Sequence, residues 1–135
     1  MTMQVLASRV LLTPRDLDAS LAFYEGVLGL HRFREFGGSP PTGVVLFLGG
    51  GFLELVAGGD HTPPQGVRLW LQTPDVRSAC DDVEAAGHRL TQPPTEQPWG
   101  LIEAVVTDPD GLELVFVEVP DDHPLRRDVR GDAAG

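Results

Sequence analysis

The chain lacks several features that define whole classes of protein. It has a single cysteine, Cys80, among 135 residues, so neither an internal disulfide nor a cysteine metal cluster is available to it. No stretch reaches the roughly 18 continuous apolar residues of a membrane span, and the start of the chain lacks the basic region of a signal peptide. We therefore expect a cytoplasmic protein with no membrane partner, in which Cys80 packs in the core.

Basic side chains are also scarce. Ten basic residues stand against twenty acidic ones and give a net charge of -10, which repels phosphate backbones and argues against nucleic acid as a partner. The acidity would favour a cationic ligand, although acidity serves solubility in many cytosolic proteins. With 41% hydrophobic residues, the chain has enough apolar material for the core of one ordinary domain.

The sequence does contain an internal repeat. The segment Thr13–Leu17 recurs 59 residues later as Gln72–Val76, and Leu53–Val56 recurs at the same offset as Leu112–Val115. Because the offset is constant, the two halves are expected to share one arrangement of helices and strands.

Each half contains an amphipathic helix that begins after an aspartate. Asp16 and Asp75 each follow a proline by one or two residues and occupy the N-cap position, where a carboxylate accepts backbone N–H bonds. The apolar residues that follow are spaced i, i+4, i+7, i+11, which is one face of a helix. Helices are therefore predicted to begin near residues 17 and 76.

Short apolar runs bounded by glycine and proline surround each helix and indicate strands. The resulting order is βαβββ, twice, in a single α+β domain of residues 1–119 with modules at about 5–57 and 67–119. A linker at 58–66 joins the modules, and residues 120–135 are expected to form a disordered tail. The expected strands are 5–12, 30–36, 44–48 and 52–56, then 67–71, 88–90, 101–107 and 112–119, with turns at Gly49–Gly51 and Asp108–Gly111.

The first helix and the last turn carry a family resemblance. The run Asp16–Leu30 resembles the first-helix signature of the vicinal oxygen chelate superfamily, which includes glyoxalases, bleomycin resistance proteins and extradiol dioxygenases. Asp108–Gly111 resembles the closing hairpin of the same superfamily. The resemblance covers roughly residues 5–119 and implies curved mixed sheets around a cavity, built within one chain or from swapped halves of a homodimer.

In metal-dependent members of that family, a His or Glu early in the first strand of each module and a Glu late in the last strand hold a divalent ion. The corresponding first-strand residues here are Arg9 and Arg68, whose guanidinium groups offer no lone pair and repel cations. The last-strand residues are Glu54 and Glu113, with Val115 as an alternative to Glu113. The expectation is therefore no bound metal and no cofactor, with a divalent metal as the alternative.

These arginines and glutamates have two interpretations. In the first, they form two salt bridges that replace one ion and satisfy the charges with little net stabilisation. Alternatively, the arginines grip a carboxylate or phosphate of a ligand while Glu54 or Glu113 acts as the catalytic residue. A glutamate held beside an arginine is a weak base, which argues against the catalytic interpretation.

Strand alternation defines the predicted ligand-binding cavity. It places Leu11 on the same face as Arg9, and Trp70 on the same face as Arg68. Aromatic side chains such as Phe47, Phe52 and Trp99 suit a flat, drug-like or aromatic molecule. The predicted cavity residues are Arg9, Leu11, Phe52, Glu54, Arg68, Trp70, Trp99 and Glu113.

Three functions from different classes fit these observations. The leading one is a metal-free protein that binds a small molecule, similar to the antibiotic-sequestering members of the superfamily, in a homodimer. The second is a lyase, isomerase or dioxygenase with an unconventional metal site or a metal-independent mechanism. The third is a structural or accessory module whose own side chains fill the cavity.

Overall fold

The computed structural model describes residues 2–59 and 65–126. These residues form two four-stranded mixed sheets and two α-helices in the order βαβββ, twice, which confirms the predicted α+β class. The chain divides into two compact units, the first formed by Met1–Gln65 with Asp108–Gly111 and the second by Gly66–Thr107 with Leu112–Gly135. Residues 60–64 of the predicted linker lie outside the described residues. Within the described ranges, no helix is both long and apolar enough to cross a membrane.

The first unit contains a sheet of strand order β1-β4-β3-β2, in which β1 runs parallel to β4 and the other neighbours are antiparallel. Consecutive residues of β3, from Val44 to Leu46, and alternate residues of β4, Leu53 and Leu55, are fully buried. Phe23 and Tyr24 of the helical segment are buried with them. The elements are β1 (Arg9–Leu12), α1 (Leu17–Leu21), β2 (Arg32–Phe36), β3 (Gly43–Leu48) and β4 (Gly51–Val56).

Helix α1 starts where the sequence predicts. The side chain of Asp16 accepts a 3.1 Å hydrogen bond from the backbone N–H of Ala19. The helix does not stay α-helical through its predicted apolar face, because the chain widens into a π-helical segment at Ala22–Val27. Such segments are rare and often lie close to functional sites.

The second unit repeats the same sheet order, β5-β8-β7-β6. Asp75 caps helix α2 by accepting a 3.0 Å bond from the N–H of Ser78, as predicted. Cys80 faces the core and is 2% exposed, and its burial raises the pKa of the thiol to about 11. The elements are β5 (Arg68–Gln72), α2 (Val76–Ala85), β6 (Leu90–Glu96), β7 (Ile102–Thr107) and β8 (Glu113–Glu118).

Strand β6 is longer and later than the predicted 88–90. It contains Pro93 and Pro94, which normally argue against a strand because proline has no N–H to donate. The strand lies at the edge of the sheet and pairs only with β7, and its register shifts between Gln92 and Thr95, where the prolines fall. The edge position therefore explains why the prolines are tolerated.

Part of the predicted tail lies within the described residues. Pro124–Arg126 forms a short 3₁₀ helix, and the Nε of Arg126 donates a 2.9 Å bond to the carbonyl of Val119. Residues 127–135, the remainder of the predicted tail, lie outside the described residues.

The turn between β7 and β8 belongs to the first unit. The N–H of Gly111 donates to the carbonyl of Asp108, and Gly111 has a φ of 93°, which suits glycine. The other end of the turn is anchored through Asp108, whose carboxylate accepts a 2.8 Å bond from the buried hydroxyl of Tyr24. Asp108 itself is only 6% exposed.

Candidate functional site

In the first unit, the two predicted site charges meet across neighbouring strands. Arg9 on β1 lies opposite Phe52, and Leu11 lies opposite Glu54. The Nη1 of Arg9 donates to Oε1 of Glu54 at 2.8 Å. The ion pair of the first interpretation is therefore present in the first unit.

A cluster of three phenylalanine rings adjoins this ion pair through Phe52. The rings of Phe33, Phe47 and Phe52 have centroids 5.0 to 5.6 Å apart, within the range of favourable aromatic contacts. The guanidinium carbon of Arg9 lies 5.6 Å from the centre of the Phe52 ring, a cation–π distance. Arg9 is thus held by an aromatic ring and a carboxylate together.

These residues share one face of the first sheet. Phe47 pairs with Phe52 across β3 and β4, so their side chains point to the same side of the sheet. Phe33 is 48% exposed and Phe47 is 45% exposed, although both are large and apolar. We call this surface the first-sheet face; its residues are Arg9, Leu11, Phe33, Phe47, Phe52 and Glu54.

Phe33 is not among the predicted cavity residues. Its strand β2 has an irregular register between Arg32 and Arg34, the two residues on either side of it. Such a bulge turns a side chain away from simple alternation, so the period-two pattern alone could not place this ring. Its aromatic neighbours, Phe47 on the adjacent strand β3 and Phe52 on β4, were the one available signal.

In the second unit, Arg68 also pairs with its glutamate, but the pair is more exposed. Nε of Arg68 lies 3.2 Å from Oε2 of Glu113, and the two side chains are 53% and 48% exposed. Surface pairs of this kind contribute about 0 to 1 kcal/mol. The Arg9–Glu54 pair is less accessible, since Glu54 is 17% exposed.

The two ion pairs are not equivalent in strand register. Glu54 stands opposite Leu11, whereas the residue opposite Trp70, the repeat equivalent of Leu11, is Val115. Glu113 stands opposite Arg68 instead. The constant offset of 59 residues in the sequence therefore does not extend to the pairing of the last strand, and the position facing Trp70 carries no charge.

The two tryptophans are both half-exposed, Trp70 at 51% and Trp99 at 56%. The Nε1 of Trp99 donates a 2.8 Å bond to Glu103, and the carbonyl of Trp99 lies 2.8 Å from Nε2 of His123. Trp99 is therefore fixed by residues that were not predicted for the site.

The charged residues do not fit a divalent ion of the kind that metal-dependent relatives hold. Arg9 and Arg68 have no lone pair to donate, and Glu54 and Glu113 are each engaged by an arginine. Among residues 2–59 and 65–126, no group of three or more His, Cys, Asp or Glu side chains is placed to hold a metal. What the first-sheet face does offer is a set of aromatic surfaces, guanidinium donors and a carboxylate acceptor.

Comparisons with known proteins agree with this fold. A lactoylglutathione lyase of Haemophilus influenzae is 29% identical over 127 residues, which covers 86% of this chain and 93% of that protein. An uncharacterised protein of Mycolicibacterium smegmatis is 31% identical over 118 residues, covering 87% of this chain and 93% of that protein. The crystal structure of a glyoxalase-related enzyme from Fulvimarina pelagi superimposes with a TM-score of 0.71 at 23% identity, over 87% of this chain and 90% of that one.

The family assignment rests on a match to a family profile. The family profile described as Glyoxalase/Bleomycin resistance protein/Dioxygenase superfamily matches residues 7–116, which is most of the described chain. The chain belongs to the glyoxalase/bleomycin resistance protein/dioxygenase superfamily.

Proposed function

We propose that this protein binds a small aromatic molecule against the first-sheet face, without a resident divalent metal. The observation that carries the proposal is the exposure of Phe33 and Phe47 beside the Arg9–Glu54 ion pair. Half-exposed phenylalanines are costly to leave in water, and a flat ligand would cover them. The ion pair supplies oriented donors and an acceptor next to the rings.

The charge of the chain narrows the class of ligand. Arg9 and Glu54 neutralise each other, so the preference for a ligand of one charge or the other comes from the rest of the protein. The chain as a whole has a net charge of -10. A planar aromatic cation would be attracted to such a surface, and aromatic rings stabilise cations through their faces. We therefore favour a cationic aromatic ligand over an anionic one at this face.

The experiment is a binding titration with proflavine, a planar aromatic cation, followed by fluorescence anisotropy. We expect saturable binding of one molecule per chain that weakens roughly tenfold in Phe33→Ala or Phe47→Ala, because an aromatic contact is worth about 0.5–1.5 kcal/mol beyond its area. Val67→Ala is the matched control, since Val67 is 50% exposed and lies in the second unit. Equal losses in all three variants would show that the dye binds nonspecifically, and the proposal would fail.

A lyase is the second candidate, because one relative is named lactoylglutathione lyase and another probable lactoylglutathione lyase. That function predicts turnover of lactoylglutathione and a stoichiometric metal in the purified protein, measured by mass spectrometry. Our proposal predicts neither. A stoichiometric divalent metal together with turnover would replace the binding function with the enzymatic one.

We also propose that the protein is a homodimer. Met3 and Leu6, at the start of the chain, are 85% and 87% exposed, which leaves apolar side chains available to a second copy. Size-exclusion chromatography with light scattering should give twice the chain mass of 14.6 kDa, and Leu6→Glu should shift the protein toward the monomer. A monomeric parent protein would contradict this.

A further inference from the structure

The second unit contains a surface cavity that is separate from the first-sheet face. Its volume is about 320 Å³, and it is lined by Gln72, Thr73, Pro74 and Arg126. It lies where strand β5 ends and the chain turns toward helix α2. This volume is at the lower end of the range for small-molecule sites.

Arg126 enters the cavity with its orientation fixed. Its Nε donates to the carbonyl of Val119 at 2.9 Å, which uses one of the five guanidinium donors. Its guanidinium also lies near the carboxylate of Asp121, with Oδ1 3.6 Å from Nη2, and the Asp121 side chain is fully exposed. An exposed pair at this distance contributes little, so the outer edge of the guanidinium is available to a stronger acceptor.

Two acidic side chains, Asp75 and Glu118, accept backbone N–H groups at the start of helix α2, which follows the cavity-lining Pro74. Asp75 accepts the N–H of Ser78 as the cap of helix α2. Glu118 accepts the N–H of Val76 at 3.0 Å. These bonds draw both carboxylates to the backbone at the start of the helix, and the cavity wall keeps neutral polar groups, the Gln72 amide and the Thr73 hydroxyl.

An aromatic ring is available next to these polar groups. Trp70 precedes Gln72 by two residues on β5, so the two side chains project from the same face of the strand, roughly 7 Å apart. Trp70 is 51% exposed. The register places uncharged Val115 opposite it, so no carboxylate of β8 stands directly across from the ring.

We propose that this cavity binds a small aromatic carboxylate. The ligand carboxylate accepts two parallel N–H bonds from the guanidinium of Arg126, the geometry in which arginine and carboxylate match best. The amide of Gln72 and the hydroxyl of Thr73 donate to the same oxygens, and the ring of the ligand lies toward Trp70. The site is independent of the proposed function, which uses the first unit alone.

The test compares two probes of the same shape, benzoate and benzamide, by nuclear magnetic resonance of the full chain labelled with ¹⁵N. Benzoate should give saturable shifts at the Gln72 side-chain amide and at the Arg126 Nε–H, and benzamide should bind at least tenfold more weakly because it cannot accept a charge-assisted fork. Equal binding of the two probes, or the absence of saturable shifts with benzoate, would overturn the proposal.

Variants locate the site and separate it from loss of structure. Arg126→Gln should weaken benzoate roughly tenfold or more, whereas Arg77→Gln removes the same charge from the exposed side of helix α2 and should leave benzoate affinity unchanged. Because Arg126 also holds Val119, Thr73→Val is the second variant: it keeps that bond and should weaken benzoate severalfold. Retention of full affinity in both Arg126→Gln and Thr73→Val would refute the site.

Discussion

Tyr24 is the only tyrosine of the chain. We expect the free energy of unfolding at high pH to depend on this side chain and on few others. Its side chain is fully buried and donates a 2.8 Å hydrogen bond to the carboxylate of Asp108. Tyr24→Phe removes that bond and leaves the ring in place. A hydrogen bond to a charged group is worth about 1.5–3 kcal/mol, so we expect a loss of this size in the free energy of unfolding at neutral pH.

The pH dependence provides a sharper test of the same contact. Burial, and then the negative charge of Asp108, raise the pKa of Tyr24 well above its ordinary value of about 10. The folded protein therefore keeps the phenolic proton at a pH where the unfolded chain releases it. The stabilising contribution is complete below about pH 10 and is lost above it, at about 1.4 kcal/mol per pH unit. The difference in free energy of unfolding between the parent and Tyr24→Phe should accordingly be roughly 1.4 kcal/mol smaller at pH 11 than at pH 7.

The assay is urea unfolding followed by tryptophan fluorescence at pH 7, 9, 10 and 11. Cys80 titrates in the same window, because its pKa rises from 9.0 to about 11 in the folded protein, so both proteins should carry Cys80→Ala. No lysine interferes, since all ten basic side chains are arginine. If the stability of the two proteins falls in parallel above pH 10, Tyr24 ionises in the folded state and the reasoning from its burial is wrong.

Three further substitutions test other contacts. Gly43→Ala should lower the melting temperature by the equivalent of about 1–3 kcal/mol, because its Cβ would overlap the ring of Phe36; an unchanged melting temperature would mean that the ring moves aside freely. Asp75→Ala removes the cap of helix α2 and should cost about 1 kcal/mol in urea unfolding, whereas Asp75→Asn should restore most of it. Glu113→Gln should change the stability by less than about 1 kcal/mol in thermal melts, because both it and Arg68 are half-exposed; a larger loss would show that the pair is buried by something else.

Local chemistry made much of this fold predictable. The aspartate caps at Asp16 and Asp75 marked both helix starts, because an aspartate that follows a proline and precedes an apolar helix face is typical of the N-cap position. The glycine turns and apolar runs placed seven of the eight strands to within a few residues, since each strand is bounded by residues that cannot continue it. Strand β6 was predicted too early and too short, because its prolines argue against a central strand but are tolerated at the edge of a sheet.

The site was predictable in its residue types but not in its register. The pairing of Arg9 with Glu54 followed from the repeat and from the complementary charges. Val115 was predicted at this position only as the alternative to Glu113, because the pairing of β8 depends on how the chain turns after β7, which no periodic pattern encodes. The ring of Phe33 joined the site through a bulge, which is likewise a property of two strands together and not of one.

The turn at Asp108–Gly111 determines how the chain can be divided into fragments that fold. The repeat in the sequence suggests that cutting the linker would release two self-sufficient halves, each with its own helix and sheet. The first compact unit, however, includes these four residues from late in the chain, and Asp108 is the hydrogen-bond partner of its buried tyrosine. A fragment that ends near residue 65 would lack that partner, so circular permutation at the linker, which keeps every residue, is the safer way to reorder the modules.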